Sequence, residues 1–326
     1  MIGSAIVTRN LVKIRGKIRA LDGFTISVPR GSVTGLVGEN GAGKTTWMMT
    51  AAGFLSPDSG EIDLLGCGPF DASVHAGKIA ILPQDSELPL ELSPYEALYR
   101  FGRIQGLSSS AAKRSAQAAL AAVNLSERAK APVRSLSHGM RKRAMVAQCL
   151  VGDPEIVLLD EPLNGLDPVE ADRLRRFMLS QRGKRTVVIS SHNLEDIERL
   201  CTHVAVVGNG RLARMDTVAS MTHGSDRIEY ALSSKPSGFS ELVSAIPDVS
   251  FEWSENGLRL VCTLGPSVGG VAAANRLILP ALLASTDVLA VTPGQSLEDA
   301  FLGSRNPRNT FADFHGTDAG AGFTSV

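Results

Sequence analysis

The sequence predicts an α/β protein. Its core is a mainly parallel sheet with a small antiparallel subdomain at its start and a helical block inserted in its middle, and a second, smaller α+β domain follows. Three observations carry this. Gly38-Glu39-Asn40-Gly41-Ala42-Gly43-Lys44-Thr45-Thr46 fits G-x-x-x-x-G-K-[ST] and lies between the apolar run Val33 to Val37 and Trp47-Met48-Met49, so it reads as strand, turn, helix. Ile156-Val157-Leu158-Leu159 is continuously apolar, as a parallel strand buried on both faces requires, and it ends in Asp160-Glu161. From Arg227 onward, short apolar runs and helical stretches follow the order βαββαβ, the pattern of a ferredoxin-like domain.

The elements follow in order. Ala5-Ile6-Val7 and Phe24 to Val28 read as strands of the antiparallel subdomain, split by the basic stretch Lys13 to Arg19. Glu61 to Gly66 adds another strand. Ile79-Ala80-Ile81-Leu82 is stopped by Pro83, which leaves Gln84 at the carboxyl end, where ligands of parallel sheets sit. Residues 93 to 135 turn helical: Ser93-Pro94-Tyr95-Glu96 has the form of a capping box, and Ala111 to Val123 is rich in alanine. Leu136-Ser137-His138-Gly139-Met140 leads through Arg141-Lys142-Arg143 into an apolar helix expected to run through Cys149-Leu150-Val151 to Asp153-Pro154. After the acidic strand, Asp167 is an N-cap with Pro168 at the first helical position and Glu170 placed to complete a second capping box. Thr186 to Ser190 is a third buried strand, ending at Ser191-His192.

Composition sets bounds. A length of 326 residues suggests about two domains of roughly 150 residues. Lys plus Arg and Asp plus Glu both number 33, so no basic excess points to nucleic acid. The most apolar stretch, Val271 to Val291, contains Asn275, Arg276 and Asp287 and falls short of the ~18 uninterrupted residues of a membrane span. The first residues lack the basic region and apolar core of a signal peptide. Cys67, Cys149, Cys201 and Cys262 form no C-x-x-C pair and read as thiols of a reducing cytoplasm.

The chemistry these stretches support is phosphate binding and transfer. Glycines at 38, 41 and 43, with Asn40 among them, let backbone N–H groups turn inward, and the helix beginning at Gly43 adds its positive end. Lys44 is suited to the β- and γ-phosphates of a nucleotide, Thr45 to Mg²⁺ and Thr46 to the α-phosphate. Buried acids need partners, and a nucleotide site supplies them: Asp160 for the Mg²⁺ shell, Glu161 to polarise the attacking water. His192, just past the neighbouring strand, is a candidate for the same site. These parts make a P-loop nucleotide hydrolase core.

In this order (phosphate loop, Gln84, Leu136–Met140, acidic strand, Asp167 loop, His192) the motifs resemble the nucleotide-binding subunit of ATP-binding cassette (ABC) transporters over about residues 5 to 220. The resemblance implies an ATP hydrolase whose cofactors are ATP and Mg²⁺, the metal being held by Thr45, Gln84 and Asp160. It also implies a head-to-tail dimer, with itself or a related ATPase subunit. Ser137 and Gly139 of one copy would contact the γ-phosphate held by the other, and Asp167 would cross with them. Glu161, His192, Gln84 and Lys44 would be the catalytic set. The partner implied is an integral membrane permease, which places the chain in the cytoplasm at the inner face of the membrane, with no nucleic acid expected. The family usually reads Leu-Ser-Gly-Gly-Gln where this chain has His138 and Met140. Where the family stacks an aromatic residue on adenine, six positions before Leu21, this chain has Arg15, whose guanidinium plane can also stack on a base.

Ser296 to Leu302 resembles the closing segment of export-type subunits, which favours an exporter. Two other readings stand beside it. A soluble ABC protein acting on ribosomes or nucleic acid usually carries two cassettes or long coiled coils, and this chain has one cassette and no sustained heptads. An importer ATPase more often ends in a small β-barrel, against which the helix expected at 271 to 283 speaks. The expected domains are residues 1–222, the cassette; 223–306, the accessory α+β domain; and 307–326, a glycine-bearing disordered tail.

Overall fold

The computed structural model describes residues 3–223, 227–236, 248–254, 256–268, 271–294 and Leu297. It divides into two compact units, Met1–Val218 and Ala219–Val326.

The first unit opens with β1 (Ser4–Arg15) and β2 (Ile18–Pro29), which pair antiparallel. The sequence placed the basic Lys13–Arg19 stretch between two shorter strands; the structure carries both strands through it and turns only at Gly16-Lys17. The ladder extends because Asp58 ties it down: its carboxylate accepts the Ile14 N–H at 2.5 Å and meets the Lys13 ammonium at 3.2 Å. β3 (Val33–Val37) is buried throughout and delivers the chain into the phosphate loop and α1 (Lys44–Ala51). β4 (Ser59–Leu64) returns to β1, giving a three-stranded antiparallel sheet in the order β2-β1-β4. The short α2 (Ala72–His75) and β5 (Ile79–Leu82) follow.

The helical block consists of α3 (Pro94–Ile104) and α4 (Ser109–Ala122). Then come α5 (His138–Gln148), β6 (Ile156–Asp160), α6 (Pro168–Leu179), β7 (Thr186–Ser191) and α7 (Leu194–Leu200). β8 (His203–Gly208) and β9 (Arg211–Thr217) close the unit, and α8 (Val218–His223) begins at its last residue. The main sheet runs β5-β6-β7-β3-β8-β9, parallel except for the β8–β9 pair. β6 and β7 are buried along their whole length, as their apolar runs require.

One core joins the two sheets of this unit. It takes Phe24, Ile26 and Leu64 from the antiparallel sheet, Leu36, Leu158 and Val188 from the parallel one, and Trp47 and Met48 from α1 between them. Trp47 is fully buried against Phe24, ring centroids 5.9 Å apart. Its body anchors the helix whose first residue is Lys44.

Two local expectations are corrected. α5 stops at Gln148, not at Val151, because the N–H groups of Cys149, Leu150 and Val151 reach back only three residues, to Val146, Ala147 and Gln148. Neither capping box closes. Ser93 accepts the Glu96 N–H and Asp167 accepts the Glu170 N–H, but the Glu96 carboxylate pairs with Arg100 and that of Glu170 with Arg143 and Arg173.

The second unit holds β10 (Arg227–Leu232), β11 (Val249–Trp253), β12 (Arg259–Leu264), α9 (Val271–Leu283) and β13 (Val288–Pro293). Its sheet is antiparallel in the order β11-β12-β10-β13, the order of a ferredoxin-like sheet. Ile228, Tyr230, Leu232, Leu260, Cys262 and Leu264 pack on Ala274, Ile278 and Leu282 of α9. Phe239 to Ile246, which the sequence reads as the first helix of the βαββαβ order, Glu255, in the expected turn between the strand runs Val249 to Trp253 and Leu258 to Leu264, the closing segment 296–302 apart from Leu297, and the tail 307–326 lie outside the described residues.

Candidate active site

Two groups of side chains form, both in the first unit. The first gathers where β3, β6 and β7 end. Lys44 begins α1, and its ammonium donates to the Gly38 carbonyl at 2.7 Å and the Glu39 carbonyl at 3.1 Å, so it lies across the inside of the loop. Gly43 has φ +107°, and a Cβ there would lie 2.6 Å from the Ala20 carbonyl oxygen; a side chain is excluded by both conformation and space. Asn40 and Gly41 are exposed at the crest of the loop, while Thr46 is buried on its helix.

Thr45 Oγ1 donates to Asp160 Oδ2 at 2.6 Å. The other oxygen of Asp160 accepts from Ser190 Oγ, which in turn accepts the Glu161 N–H at 2.8 Å. Both carboxylates are nearly closed off, Asp160 at 1% exposure and Glu161 at 8%. Glu161 sits at φ +48°, a left-handed backbone that costs a non-glycine residue on the order of 1 kcal/mol and concentrates at functional positions. His192 Nδ1 lies 3.1 and 3.2 Å from the two carboxylate oxygens of Glu161. A carboxylate can only accept, so Nδ1 carries the proton of that contact.

The cations of this neighbourhood are desolvated. Burial holds the Lys44 ammonium below its ordinary pKa, with Glu161 and Asp160 pulling the other way. Burial does the same to Lys142 of α5, opposed by Asp160, Asp85 and Glu161. Lys142 thus lies within electrostatic reach of the acidic pair, a placement the sequence did not single out. Its only signal was a lysine in the second turn of a helix whose neighbours pack inward. Ser190 was missed as well, because at the sequence level it is the last residue of an apolar strand.

The second group is the start of α5 with the start of α6. Ser137 caps α5, its Oγ accepting the Met140 N–H at 3.2 Å. Asp167 caps α6, its Oδ1 accepting the N–H groups of Val169 and Glu170, each at 3.0 Å. They are neighbours: a Cβ on Gly165 would lie 3.5 Å from His138 Nε2, and Gly139 packs against the Glu170 stem. Gln84 is exposed in the turn past β5, and Arg15 is exposed at the end of the β1–β2 hairpin, paired across it with Ile18.

A divalent cation fits the first group. A threonine hydroxyl and a carboxylate already in contact are hard oxygen donors of the kind Mg²⁺ takes, beside a loop built for phosphate.

The ABC transporter family profile matches residues 21–164. The chain is 36% identical over 270 residues to the Nod factor export ATP-binding protein I of Ralstonia nicotianae, covering 78% of this chain and 83% of that protein. Among solved structures it is similar to a nucleotide-free ATP-binding cassette from an ABC transporter, with 27% identity, TM-score 0.57, and 66% and 91% of the two chains covered. A dimeric post-hydrolysis ATP-binding cassette bound to ADP and Pi shares the fold at 20% identity and TM-score 0.59, with 65% of this chain and 98% of that one covered.

Proposed function

The chain belongs to the ATP-binding subunits of ABC transporters, and from that premise we propose that it powers an exporter as a head-to-tail dimer beneath a separate membrane permease. The reaction is ATP hydrolysis: water adds to the γ-phosphorus, the bond to the bridging oxygen breaks, and ADP and phosphate leave. The export direction is supported by the name of the Ralstonia relative and by the likeness of Ser296–Leu302 to export-type subunits. The ribosomal or nucleic-acid reading and the importer reading have no such support. An inner-face location follows from the permease. Among the described residues no helix is long and apolar enough to cross a membrane.

In this reading the loop amides from Gly38 to Thr46 and the Lys44 ammonium bind the β- and γ-phosphates, and Thr46 adds a contact to the α-phosphate. The ammonium gives up its loop carbonyls to do so, and its desolvation makes each phosphate contact stronger than it would be in water. Thr45, Asp160 and Gln84 would hold Mg²⁺, which supplies positive charge against the phosphate oxygens. Glu161 accepts a hydrogen bond from the attacking water and orients it in line; Ser190 fixes the backbone that aims the carboxylate. His192 leaves Glu161 for the γ-phosphate, with 59% of its side chain exposed and therefore able to turn. Ser137, Gly139 and Asp167 act on the nucleotide of the second copy, and Arg15 stacks on the base. The second unit, whose described residues form a sheet and helix without clustered acids or a phosphate loop, is a regulatory or docking module.

The observation that carries the reading is the bonded series Thr45, Asp160, Ser190, Glu161, His192, drawn from α1, β6, β7 and the turns that follow the two strands. Glu161→Gln keeps the shape but cannot take the water's proton, so hydrolysis falls by roughly 100-fold or more. ATP then stays bound, and size-exclusion chromatography with ATP and Mg²⁺ shows a dimer that the parent chain does not accumulate. Hydrolysis by Glu161→Gln at the parent rate, or parent activity confined to a monomer, overturns the proposal.

A further inference from the structure

We propose that Arg143 is a positioning residue: it locks the Ser137–Gly139 helix start and the Asp167 loop into one rigid face, so that the two engage a second copy's nucleotide together. This rests on the dimer reading above.

The lock is one buried point where three helices meet. Arg143 is 2% exposed in the second turn of α5. Its Nε donates to Glu170 Oε2 at 2.6 Å, and its Nη1 donates to the carbonyls of Val123 and Asn124, at 2.8 and 2.9 Å, where α4 ends. Glu170, 7% exposed, belongs to α6 and accepts Arg173 on its other oxygen at 2.6 Å. The same residue touches both parts of the face. Its N–H is capped by Asp167, and its stem runs through the space a side chain at 139 would need: a Cβ on Gly139 would lie 2.4 Å from Glu170 Cγ and 2.7 Å from its Cβ. Movement of Glu170 therefore displaces Gly139 and the Asp167 cap at once.

The choice of an ion pair is itself informative. A buried pair loses in desolvation about what it gains in attraction, and well-packed apolar residues of similar volume stabilise a fold at least as well. What the guanidinium fork adds is direction, because three donors at fixed angles fix the rotation of α5 against α4 and α6.

The test uses the Glu161→Gln chain, whose closed dimer is the readout, and compares it with Arg143→Met, Arg143→Lys and the double Arg143→Met, Glu170→Met, which removes both charges and keeps the stem against Gly139. Three quantities are measured: the thermal midpoint, the affinity of the dilute monomer for a fluorescent ATP analogue, and the dimer fraction with ATP and Mg²⁺. Arg143→Met, which strips the Glu170 carboxylate of a buried partner, loses midpoint and dimer together. The double variant regains the midpoint and keeps ATP affinity within about twofold, yet its dimer fraction is at least about fivefold lower. With Glu161 restored, kcat falls about tenfold while KM for ATP stays within about twofold. A double variant that regains the midpoint and dimerises like the Glu161→Gln chain reduces the pair to a structural role and overturns the inference. Where the double variant stays unfolded, Arg143→Lys decides, since it keeps the charge and loses the fork; a full dimer fraction there overturns the inference too. No dimer in the Glu161→Gln chain itself overturns the dimer reading, and this inference with it.

Discussion

The two units bury different things. The first closes Lys44, Lys142, Asp160 and Glu161 away from water near the phosphate loop, and Arg143 and Glu170 where α5 meets α6, none more than 8% exposed. The core of the second is apolar from Ile228 to Leu282, apart from Tyr230, whose hydroxyl donates to Asn275 at 2.5 Å. Its charges stand outside, as the cross-strand pairs Arg227–Glu252 and Arg259–Glu229, each at 3.3 Å, and such exposed pairs contribute little. Burying an ionised group costs several kcal/mol unless it is paired, so a fold that buries four of them near the loop and a further pair between α5 and α6 is holding them for chemistry or for fixed geometry. Among its described residues the second unit buries no charged side chain in its core. What the contrast teaches is that the same substitution type has different consequences on the two sides of Val218.

The largest expected effect sets the two units against each other. Lys44→Met removes the loop's ammonium and lowers ATP hydrolysis on the order of 100-fold or more, with little change in thermal midpoint. Leu260→Ala, in the fully buried core of the second unit, lowers that unit's stability by about 2–5 kcal/mol and leaves basal hydrolysis within about twofold. Phosphate release and calorimetry on both variants check this, and a Leu260→Ala chain that folds but no longer hydrolyses ATP breaks the comparison.

A smaller effect concerns the edge of the first unit. Arg15 is exposed, and we propose above that its guanidinium stacks on the base; Arg15→Ala is then expected to weaken ATP by about 1–3 kcal/mol and Arg15→Tyr to restore it, as read by titration. Unchanged affinity in Arg15→Ala makes it a solvated surface residue and moves the boundary of the chemical half inward.

The smallest is a pH effect. Burial holds His203, at the start of β8, below its ordinary pKa, with Asp216 opposing. The unfolded chain therefore binds the proton more readily. Stability is unaffected above the unfolded value near 6.5, falls as pH drops through it, and stops falling once the pH is below the folded value. Melting curves between about pH 5 and 8 should show the first unit's transition falling on acidification, less steeply in His203→Gln, while the second unit's transition does not follow. Identical slopes in the two chains remove His203 from the account.

Much of this was legible in the chain itself. The phosphate loop, the acidic strand, the caps at Ser93 and Asp167 and the limits of α9 are all contiguous, and their spacing dictates the backbone path with no help from distant residues. The β1–β2 hairpin was read short for the opposite reason: Lys13 to Arg19 looks like a loop until Asp58, more than forty residues on, ties its backbone into a ladder.

What the sequence by itself determined, then, is which local shapes form and which residue types they carry: a glycine turn that can take phosphate, a strand that must be buried, a second domain of alternating strand and helix. What only the tertiary structure decided is who pairs with whom. Glu170 has the spacing to reach back to Asp167, yet it binds Arg143, 27 residues away, and Asp160 is held by Ser190, 30 residues away. A local hydrogen bond has to compete with any partner that folding brings into a dry site, where a charged pair is stronger and an unpaired charge far more costly, so the distant arginine wins.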